Sequence, residues 1–410
     1  MLLTFSKIIV YKSKIMAKSF VFFVFLIVIL IESCGMKGRV DPCVFDNQNY
    51  EIIECGDALK QALRDDSFCV DDLIDTVCIV KLETIESSLI STIRYVSVTD
   101  SLIYISDINN VLLFRRDGSF IKSIPKGNGP GELFSVQAVT FNDKLNELLV
   151  FQNYLINKYT PLGEFVSSVE TPFVANEVIS LDRGYMFSQY AFQNKQKKYA
   201  CFTLDSSLNP GNAVVFPREF PDFKPTVTLT HSQNGDINIT RNFDECIYLF
   251  KNDTLRIKYK LSFSNCALKI EESAGSFNID KYKCEVDKFY FTGSFAESSN
   301  FQQFIFCTGN LRQCTLIRNR ENGRLFAGFN SKTPRKTLGS LINPYCYDVF
   351  DDFFISSVHL FEGADNAKCL EFADSLMPGK HISQDDIDKI RNIRADDNPL
   401  IIMYKLKSIE

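Results

Sequence analysis

The sequence predicts an all-β fold, a six-bladed β-propeller, and three observations indicate it. Phe is abundant (37 residues), Trp is absent, and the β-branched residues are spread evenly rather than along helical faces, a composition that favours strands. A pattern of strands and turns recurs at a spacing of 45 residues. An apolar strand at the C-terminus can pair with an early strand and close the ring.

The repeat is clearest between residues 101–121 and 146–166, which align without a gap. Each copy contains a strand, a short polar turn, a second strand ending in an aromatic residue, a turn with Gly and a third strand. The aligned pairs are Tyr104 with Leu149, Ile105 with Val150, Phe114 with Tyr159, Gly118 with Gly163 and Phe120 with Phe165. The glycines allow the positive φ of tight hairpins. A strand-only period of roughly 40–50 residues is typical of a propeller blade.

Weaker copies of the same unit continue along the chain. They are Gly184 to Phe187 with Ala200 to Leu204, Gly235 to Ile239 with Cys246 to Phe250 and Leu255 to Leu261, Phe289 to Phe291 with Phe304 to Phe306 and Thr315 to Ile317, and Val349 to Leu360. From Tyr95 onward there is room for about six blades.

The two ends of the propeller are expected to meet in one blade. We expect the strand Pro399 to Leu406, or the early strand Thr76 to Leu82, to complete a blade built from both ends, because closure removes the open sheet edges. One short C-terminal helix precedes the last strand. Ser383 caps it, Asp385 and Asp386 lie in its first turn, and Ile387, Ile390 and Ile393 form an apolar stripe that packs on the last blade.

Four segments resemble a known family. Residues 126–133, Lys-Gly-Asn-Gly-Pro-Gly-Glu-Leu, resemble the G-x-G-P-G-E signature of bacterial six-bladed β-propeller lipoproteins, relatives of the NHL and TolB-like propellers. Residues 79–90, 247–259 and 396–400 resemble the first, middle and closing strands of that family, in the same order. The resemblance implies a six-bladed propeller in the cell envelope, usually without an assigned catalytic activity.

The N-terminus predicts export and lipidation. Four lysines precede the apolar run Phe20 to Ile31, which is the pattern of a signal peptide and is short for a membrane span. Residues 31–35, Ile-Glu-Ser-Cys-Gly, resemble a lipobox, so Cys34 would become the lipidated first residue of the mature chain. Glu32 is unusual there, and a soluble secreted form and a single-span anchor are the alternatives. Translation can start at Met1 or at Met16.

These features divide the chain into a signal peptide (1–33), a tether and lead-in (34–75) and a propeller (76–410). The residues after Cys34 include Lys37 and Arg39 and lack the acidic run of surface-exported lipoproteins, which favours an anchor that faces the periplasm. Removing residues 1–33 changes the formal net charge from −5 to −8, so nucleic acid is not an expected partner.

Cysteine and histidine usage argues against a zinc site. Twelve cysteines follow Cys34, no two of them are spaced C-x₂-C, and the chain has three histidines. Core thiols are favoured over a disulfide framework, and the pairing stays open. The only expected cofactor is the covalent lipid.

The signature loop contains Gly127, Gly129, Pro130, Gly131 and Glu132. Glycine-rich loops can bind phosphate through backbone N–H groups, but such loops need a following helix and usually a lysine. The flanks here are strands, so a tight turn between blades is the favoured interpretation.

Two functions of different class remain. The favoured one is a non-enzymatic binding or scaffolding propeller, held at the membrane by its lipid, with a glycan, peptide or envelope protein as ligand. The alternative is a metal-dependent hydrolase or lyase, with carboxylates and histidine at the mouth of the central channel. The candidate ligands are Asp107, Asp244, Glu245, Asp351, Asp352 and His359. Asp107 is replaced by Gln152 in the next repeat, so the pattern contains no ring of like ligands.

Overall fold

Six sheets form the body of the protein in the computed structural model. The structure describes residues 41–46, 49–65, 73–171, 173–189, 200–217, 225–232, 234–270, 279–329, 342–343, 345–358, 373, 379, 381–394 and 396–407. Each sheet has at least four strands, and each innermost strand lies beside that of the next sheet around a closed ring. The chain is therefore a six-bladed β-propeller, as predicted. The predicted signal peptide and Cys34 lie outside the described residues.

Blades 1 and 2 are four-stranded meanders, and the predicted repeat coincides with their last three strands. Their strands are β5 (Tyr95–Val98), β6 (Leu102–Ser106), β7 (Val111–Arg115) and β8 (Phe120–Ser123), then β9 (Ala138–Asn142), β10 (Glu147–Gln152), β11 (Leu155–Tyr159) and β12 (Phe165–Glu170). Gly118 and Gly163 have φ of +91° and +74°, as the aligned hairpin turns require. The 45-residue repeat is thus one blade.

Blades 3, 4 and 5 follow in chain order. Blade 3 contains β13 (Ala175–Leu181), β14 (Gly184–Gln189), β15 (Cys201–Asp205) and β16 (Pro210–Val214). Blade 4 contains β17 (Val227–His231), β18 (Ile237–Arg241), β19 (Cys246–Lys251) and β20 (Thr254–Ser262). Blade 5 contains β21 (Phe289–Glu297), β22 (Phe301–Thr308), β23 (Gln313–Asn319) and β24 (Leu325–Phe329).

Blade 6 is built from both ends of the chain. Its strands, from the axis outward, are β25 (Asp348–Phe350), β26 (Phe353–Ser357), β27 (Ile401–Leu406) and β4 (Ile74–Val80). The C-terminal strand β27 pairs antiparallel with β4, so that Ile402 lies opposite Ile79 and Tyr404 opposite Val77. The expected closure is confirmed, and both candidate strands take part in it.

Residues 41–65 lie along the outer edges of blades 3, 4 and 5. Strand β1 (Asp41–Pro42) pairs in parallel with β16, and β2 (Val44–Asp46) and β3 (Glu51–Glu54) pair in parallel with β20. Helix α1 (Gly56–Arg64) then packs on blade 5 and buries Leu59 and Ala62 against its phenylalanines. This segment, assigned from the sequence to a lead-in, therefore covers strand edges that would otherwise be exposed.

The C-terminal helix α2 (Gln384–Arg391) has the expected cap and stripe. The Ser383 hydroxyl accepts a hydrogen bond from the Asp386 N–H (3.1 Å), and Ile387 and Ile390 are buried against blade 6. The Asp386 carboxylate accepts the Ile79 N–H (3.1 Å), and Lys389 donates to the Ile79 carbonyl (2.9 Å). The helix thus provides hydrogen-bond partners for the backbone N–H and C=O of Ile79 on the outer edge of β4.

Two short helices, rather than the single one predicted, lie among the described residues, so the fold is mostly β rather than all-β. Neither of these helices is long and apolar enough to span a bilayer.

Candidate binding site in the central channel

The innermost strands of the six blades enclose a cavity of about 740 Å³ along the propeller axis. We call it the channel. Every blade contributes to its wall through β5, β9, β13, β17, β21 and β25 or the residues next to them. Because the inner edge of each of these strands has no strand beside it, its backbone N–H and C=O groups need other partners. Side chains of neighbouring blades supply some of them.

Within the described part of the chain, two side-chain atoms of the channel wall are buried and have no hydrogen-bond partner. They are Oε1 of Gln137, just before β9, and Oγ1 of Thr230 on β17. The other end of the Gln137 amide is engaged, since its Nε2 donates to Asn153 (3.1 Å). Native proteins leave few buried polar atoms unpaired, so these two are places in the described wall where a hydrogen bond is still missing.

Glu177 on β13 spans the junction between blades 3 and 4. Its Oε2 accepts a hydrogen bond of 2.8 Å from the backbone N–H of Leu229 on the inner edge of β17. Burial raises the pKa of Glu177 to about 7, although the Leu229 N–H partly offsets the effect. This carboxyl group therefore changes charge near neutral pH.

Asp348 on β25 belongs to blade 6, the blade opposite blade 3 in a ring of six. Burial raises the pKa of Asp348 to about 7, against the opposing effects of the Val349 N–H and the Ser97 hydroxyl that donate to its carboxylate. Tyr95 lies nearby on β5, and burial together with the Asp348 charge raises the pKa of its phenol to about 12. The Tyr95 hydroxyl accepts a hydrogen bond from the Phe141 N–H (3.2 Å) and so joins blade 1 to blade 2. Glu177 joins blade 3 to blade 4 through a contact of the same kind.

His231 also faces the channel, at the end of β17. Its Nε2 lies 3.2 Å from the hydroxyl of Ser180 in blade 3. Burial lowers the pKa of His231 to about 4, so the ring is neutral at neutral pH.

Lys258 and Glu297 form a buried ion pair between blades 4 and 5, with Nζ and Oε1 separated by 2.7 Å. Glu297 also accepts from the Gln302 amide (2.8 Å) and the Tyr259 hydroxyl (3.2 Å). Burial alone would raise the pKa of Glu297, but the Lys258 charge and the hydrogen bonds from Lys258 and Gln302 outweigh it and hold the pKa below its ordinary value. The charge of Glu297 is therefore compensated by the protein itself.

Asp107, one of the residues predicted for the channel mouth, lies in the turn between β6 and β7 and does not line the channel. It is 1% exposed, and its carboxylate accepts the N–H groups of Asn109 and Asn110 (both 2.7 Å) and of Ser91 (3.2 Å). Ser91 belongs to the crossover into blade 1, so Asp107 anchors that crossover. These bonds outweigh burial and hold the pKa of Asp107 below its ordinary value.

Gln152, the aligned residue in blade 2, performs the same task with an amide. It accepts the Phe134 N–H (3.1 Å) and donates to the Glu132 carbonyl (3.1 Å), which anchors the crossover into blade 2. The side chain at this position of the repeat therefore anchors a crossover between blades. This explains why the position is not occupied by the same metal-binding residue in each blade.

Asp244 is 2% exposed and also lies away from the channel wall. Its carboxylate pairs with the buried Arg241 guanidinium and accepts the Tyr248 hydroxyl (3.1 Å). Arg241 in turn stacks over the Phe216 ring, 3.9 Å from its centroid. Glu245 is half-buried beside it and does not line the channel.

Asp351 and Asp352 do line the channel, at the turn between β25 and β26. Asp352 accepts the N–H and the hydroxyl of Ser299 in blade 5 (both 2.7 Å). The Asp351 side chain is 77% exposed and lies 3.7 Å from Lys405. His359, the remaining predicted residue, lies outside the described part of the chain.

The signature loop forms the crossover from blade 1 to blade 2. The Glu132 carboxylate folds back into it and accepts the Gly129 N–H (2.9 Å), a backbone donor that a bound anion would otherwise need. A Cβ at Gly127 would come within 2.0 Å of that carboxylate, and one at Gly131 within 2.5 Å of the Phe165 ring. The glycines are needed for this packing, in agreement with a tight turn.

Among the described residues, no group of three or more His, Cys, Asp or Glu side chains is arranged to hold a metal ion. The ten cysteines in this part of the chain are free thiols. Cys55, Cys201 and Cys314 are fully buried, which is typical of thiols that pack in a core.

The sequence did not single out Gln137, Glu177, Thr230 or Asp348. The available signal was their position on, or directly before, the first strand of a blade, since that strand is the innermost in a propeller. Without the blade boundaries, these residues look like ordinary strand residues.

A family model described as "Domain of unknown function (DUF4934)" matches residues 51–405. None of the curated proteins matches the chain in sequence. Among solved structures, one from Bacteroides fragilis described as "Putative exported protein (BF0058)" is similar, with 14% identity and a TM-score of 0.66, over 83% of this chain and 98% of that one. The likeness supports the fold.

Two further structures are more distant. A protein of unknown function from Bacteroides caccae has 14% identity and a TM-score of 0.38, over 58% of this chain and 81% of that one. BamB from Moraxella catarrhalis has 10% identity and a TM-score of 0.37, over 69% of this chain and 73% of that one.

Proposed function

The chain belongs to the DUF4934 family, and we propose that it is a lipid-anchored envelope protein that binds a small polar ligand in its channel without catalysing a reaction. The observation that carries this proposal is the axial cavity of about 740 Å³ with two unpaired, buried polar atoms in its wall. Small-molecule sites typically have volumes of about 300–1,000 Å³ and a few convergent polar groups.

The wall combines the two kinds of surface that a small polar ligand needs. The lining residues include Ser97, Thr228 and Ser294, which carry hydroxyl groups, and Phe141 and Tyr347, which carry aromatic rings. Hydroxyls offer hydrogen bonds of either sense, and the rings offer apolar contact. A ligand that paired with Gln137 and Thr230 would also remove the cost of leaving those atoms unpaired.

We favour binding without catalysis over a metal-dependent enzyme because the carboxylates first considered as metal ligands have other partners. Asp107 holds a crossover, Asp244 is paired with Arg241, and Asp352 holds Ser299. A metal-dependent hydrolase or lyase would need several such groups free and converging on one point.

Capture of the native ligand tests the channel site. Full-length protein would be purified gently from its own cells, denatured, and the released small molecules identified by mass spectrometry. We expect a compound to be released in molar proportion to the wild-type protein and to be depleted or absent from Thr230→Phe, which replaces the unpaired hydroxyl in the channel wall with a larger apolar ring. Val166→Phe adds the same ring on the exposed outer strand of blade 2 and should retain the compound. Equal recovery from Thr230→Phe, or none from the wild type, would contradict the proposal.

The lipid anchor is supported by the lipobox-like residues 31–35 and by the description of the similar Bacteroides fragilis protein as exported. Metabolic labelling with an alkyne fatty acid tests it. The wild-type protein should carry the label and sediment with membranes, whereas Cys34→Ser should carry none. An unlabelled wild type would overturn the anchor and favour a soluble secreted form.

We further propose that the propeller faces the periplasm, because the residues after Cys34 are basic rather than acidic. Protease added to intact cells should leave the protein whole and should cleave it after the outer membrane is permeabilised. Cleavage in intact cells would place it on the surface instead.

A further inference from the structure

The charges that line the channel are strongly unequal. Among the described residues, five that line the channel carry carboxyl groups and one carries a permanent positive charge: Glu177, Glu297, Asp348, Asp351 and Asp352, against Arg94. Arg94 is exposed just before β5, at one end of the channel. Lys258 compensates Glu297, which leaves an excess of negative groups in the wall. Such a wall attracts cations and repels anions.

Glu177 and Asp348 are two carboxyl groups of the channel wall that no described Lys or Arg compensates. Among the described residues, neither lies in an ion pair with Lys or Arg, and their donors are backbone N–H groups and a hydroxyl. They belong to blades 3 and 6, which face each other across the axis of the ring. A positive group between them would interact favourably with both.

The unpaired atoms of the wall also favour a donor. Gln137 Oε1 can only accept hydrogen bonds, as can an ionised carboxylate, and Thr230 Oγ1 can do either. A primary ammonium group has three donors and no acceptor, so it complements this set. A neutral polyol could satisfy the same atoms but would leave the carboxylate charges uncompensated in a partly desolvated cavity.

The aromatic residues of the wall point to the same chemistry. Tyr95 on blade 1 and Tyr345 and Tyr347 on blade 6 line the channel, and Asp348 directly follows Tyr347 and interacts with Tyr95. Cations are attracted to the faces of aromatic rings, most strongly where water is partly excluded. His231 adds no competing positive charge at neutral pH, because burial lowers its pKa to about 4.

Building on the proposed channel site, we infer that its ligand is a small organic amine, whose primary ammonium group binds between the carboxyl groups of Glu177 and Asp348 and against the neighbouring tyrosine rings. Glu177 and Asp348 would then determine the specificity of the site for amines.

Calorimetric titration of the full-length protein with cadaverine, a linear diamine, tests the inference at about pH 8, where both carboxyl groups are ionised. Pentanediol, in which hydroxyls replace the ammonium groups, is the matched neutral probe. We expect cadaverine to bind at least about tenfold more tightly than pentanediol, and Glu177→Gln and Asp348→Asn each to weaken cadaverine binding by about tenfold or more. Glu164→Gln, which neutralises an exposed carboxylate on blade 2, should leave the affinity unchanged.

Equal affinity for the two probes, no binding of cadaverine, or binding insensitive to both variants would overturn the inference. The comparison of the probes on wild-type protein requires no variant to fold, and thermal unfolding would verify the variants. If ligand capture yields an uncharged compound that Thr230→Phe excludes, the channel site stands and the amine inference fails. If Thr230→Phe excludes nothing, both fail.

Discussion

The Glu177 carboxylate accepts the Leu229 N–H at 2.8 Å and so joins blade 3 to the free inner edge of blade 4. An inner strand edge has no neighbouring strand, so its N–H groups must be satisfied by side chains, water or a ligand. Glu177 therefore has a structural contact as well as a place in the channel wall. Its replacement by Gln keeps an acceptor for Leu229 and removes only the charge.

The first prediction concerns pH. The pKa values of Glu177 and Asp348 are raised to about 7 from ordinary values of 4.5 and 3.8, so the folded state binds these protons more tightly than the unfolded state. Their contribution to stability is full below about pH 4 and is lost as the pH rises through 7. Relative to Glu177→Gln/Asp348→Asn, the wild-type free energy of unfolding should fall by about 5 kcal/mol between about pH 5 and 8, with about half of the fall from each carboxyl group.

Urea unfolding of both proteins across that pH range measures the effect. The difference in free energy of unfolding between the two proteins could instead stay constant with pH or grow in favour of the wild type as the pH rises. Either result would show that the pKa values of the two carboxyl groups are not raised in the folded protein.

The second prediction concerns the signature loop. Gly131 has φ of +74°, and a Cβ there would meet the Phe165 ring at 2.5 Å, whereas Gly323 has φ of +73° and open space around it. Gly323→Ala should lower the free energy of unfolding by about 1 kcal/mol because of the backbone conformation alone. Gly131→Ala should cost about 2 kcal/mol or more, because the ring or the crossover must also move. Denaturant unfolding of the two variants measures these costs. Equal losses in the free energy of unfolding would argue against a packing role for Gly131.

The third prediction concerns the ion pair between blades 4 and 5. Lys258→Met leaves the buried Glu297 charge without compensation and should lower the free energy of unfolding by about 3–5 kcal/mol. Adding Glu297→Gln to that variant should recover much of the loss. Lys251→Met breaks the more exposed pair with Asp236 and should cost less than about 1 kcal/mol. Failure of the second substitution to recover stability would mean that the loss came from packing.

The fourth prediction concerns ring closure. Ile402 is fully buried opposite Ile79, so Ile402→Ala should lower the free energy of unfolding by about 2–5 kcal/mol through the lost contacts and the cavity. Ile52→Ala, on the exposed side of the edge strand β3 (53% exposed), should change it by less than about 0.5 kcal/mol. Similar values for the two would indicate that the closing pair contributes little.

Local signals predicted the parts of the fold that depend on local physics. Gly118 and Gly163 identified equivalent hairpin turns, and Ser383 with its acidic first turn identified helix α2. Helix α1 has no such signal at its start, because its N-cap, Cys55, makes no side-chain capping bond. Its stability comes from Leu59 and Ala62 packed on blade 5, a contact that is remote in sequence.

The candidate site was harder to predict for a related reason. Asp107 has the appearance of a ligand in the sequence because it follows a strand directly, yet its carboxylate is used by the crossover that packs against it. Glu177 and Asp348 have no distinctive neighbours in the sequence. Their pKa values are raised because other blades exclude water from them.

The signature loop, the repeat and the apolar C-terminal strand were sufficient to specify a six-bladed ring closed by both ends, because turn geometry and strand alternation are encoded over a few residues. Which side chains face the axis, which acidic groups find a partner and which atoms are left unpaired depended on how six separate sheets meet. Those outcomes follow from desolvation and from contacts between distant segments, and only the tertiary structure decides them.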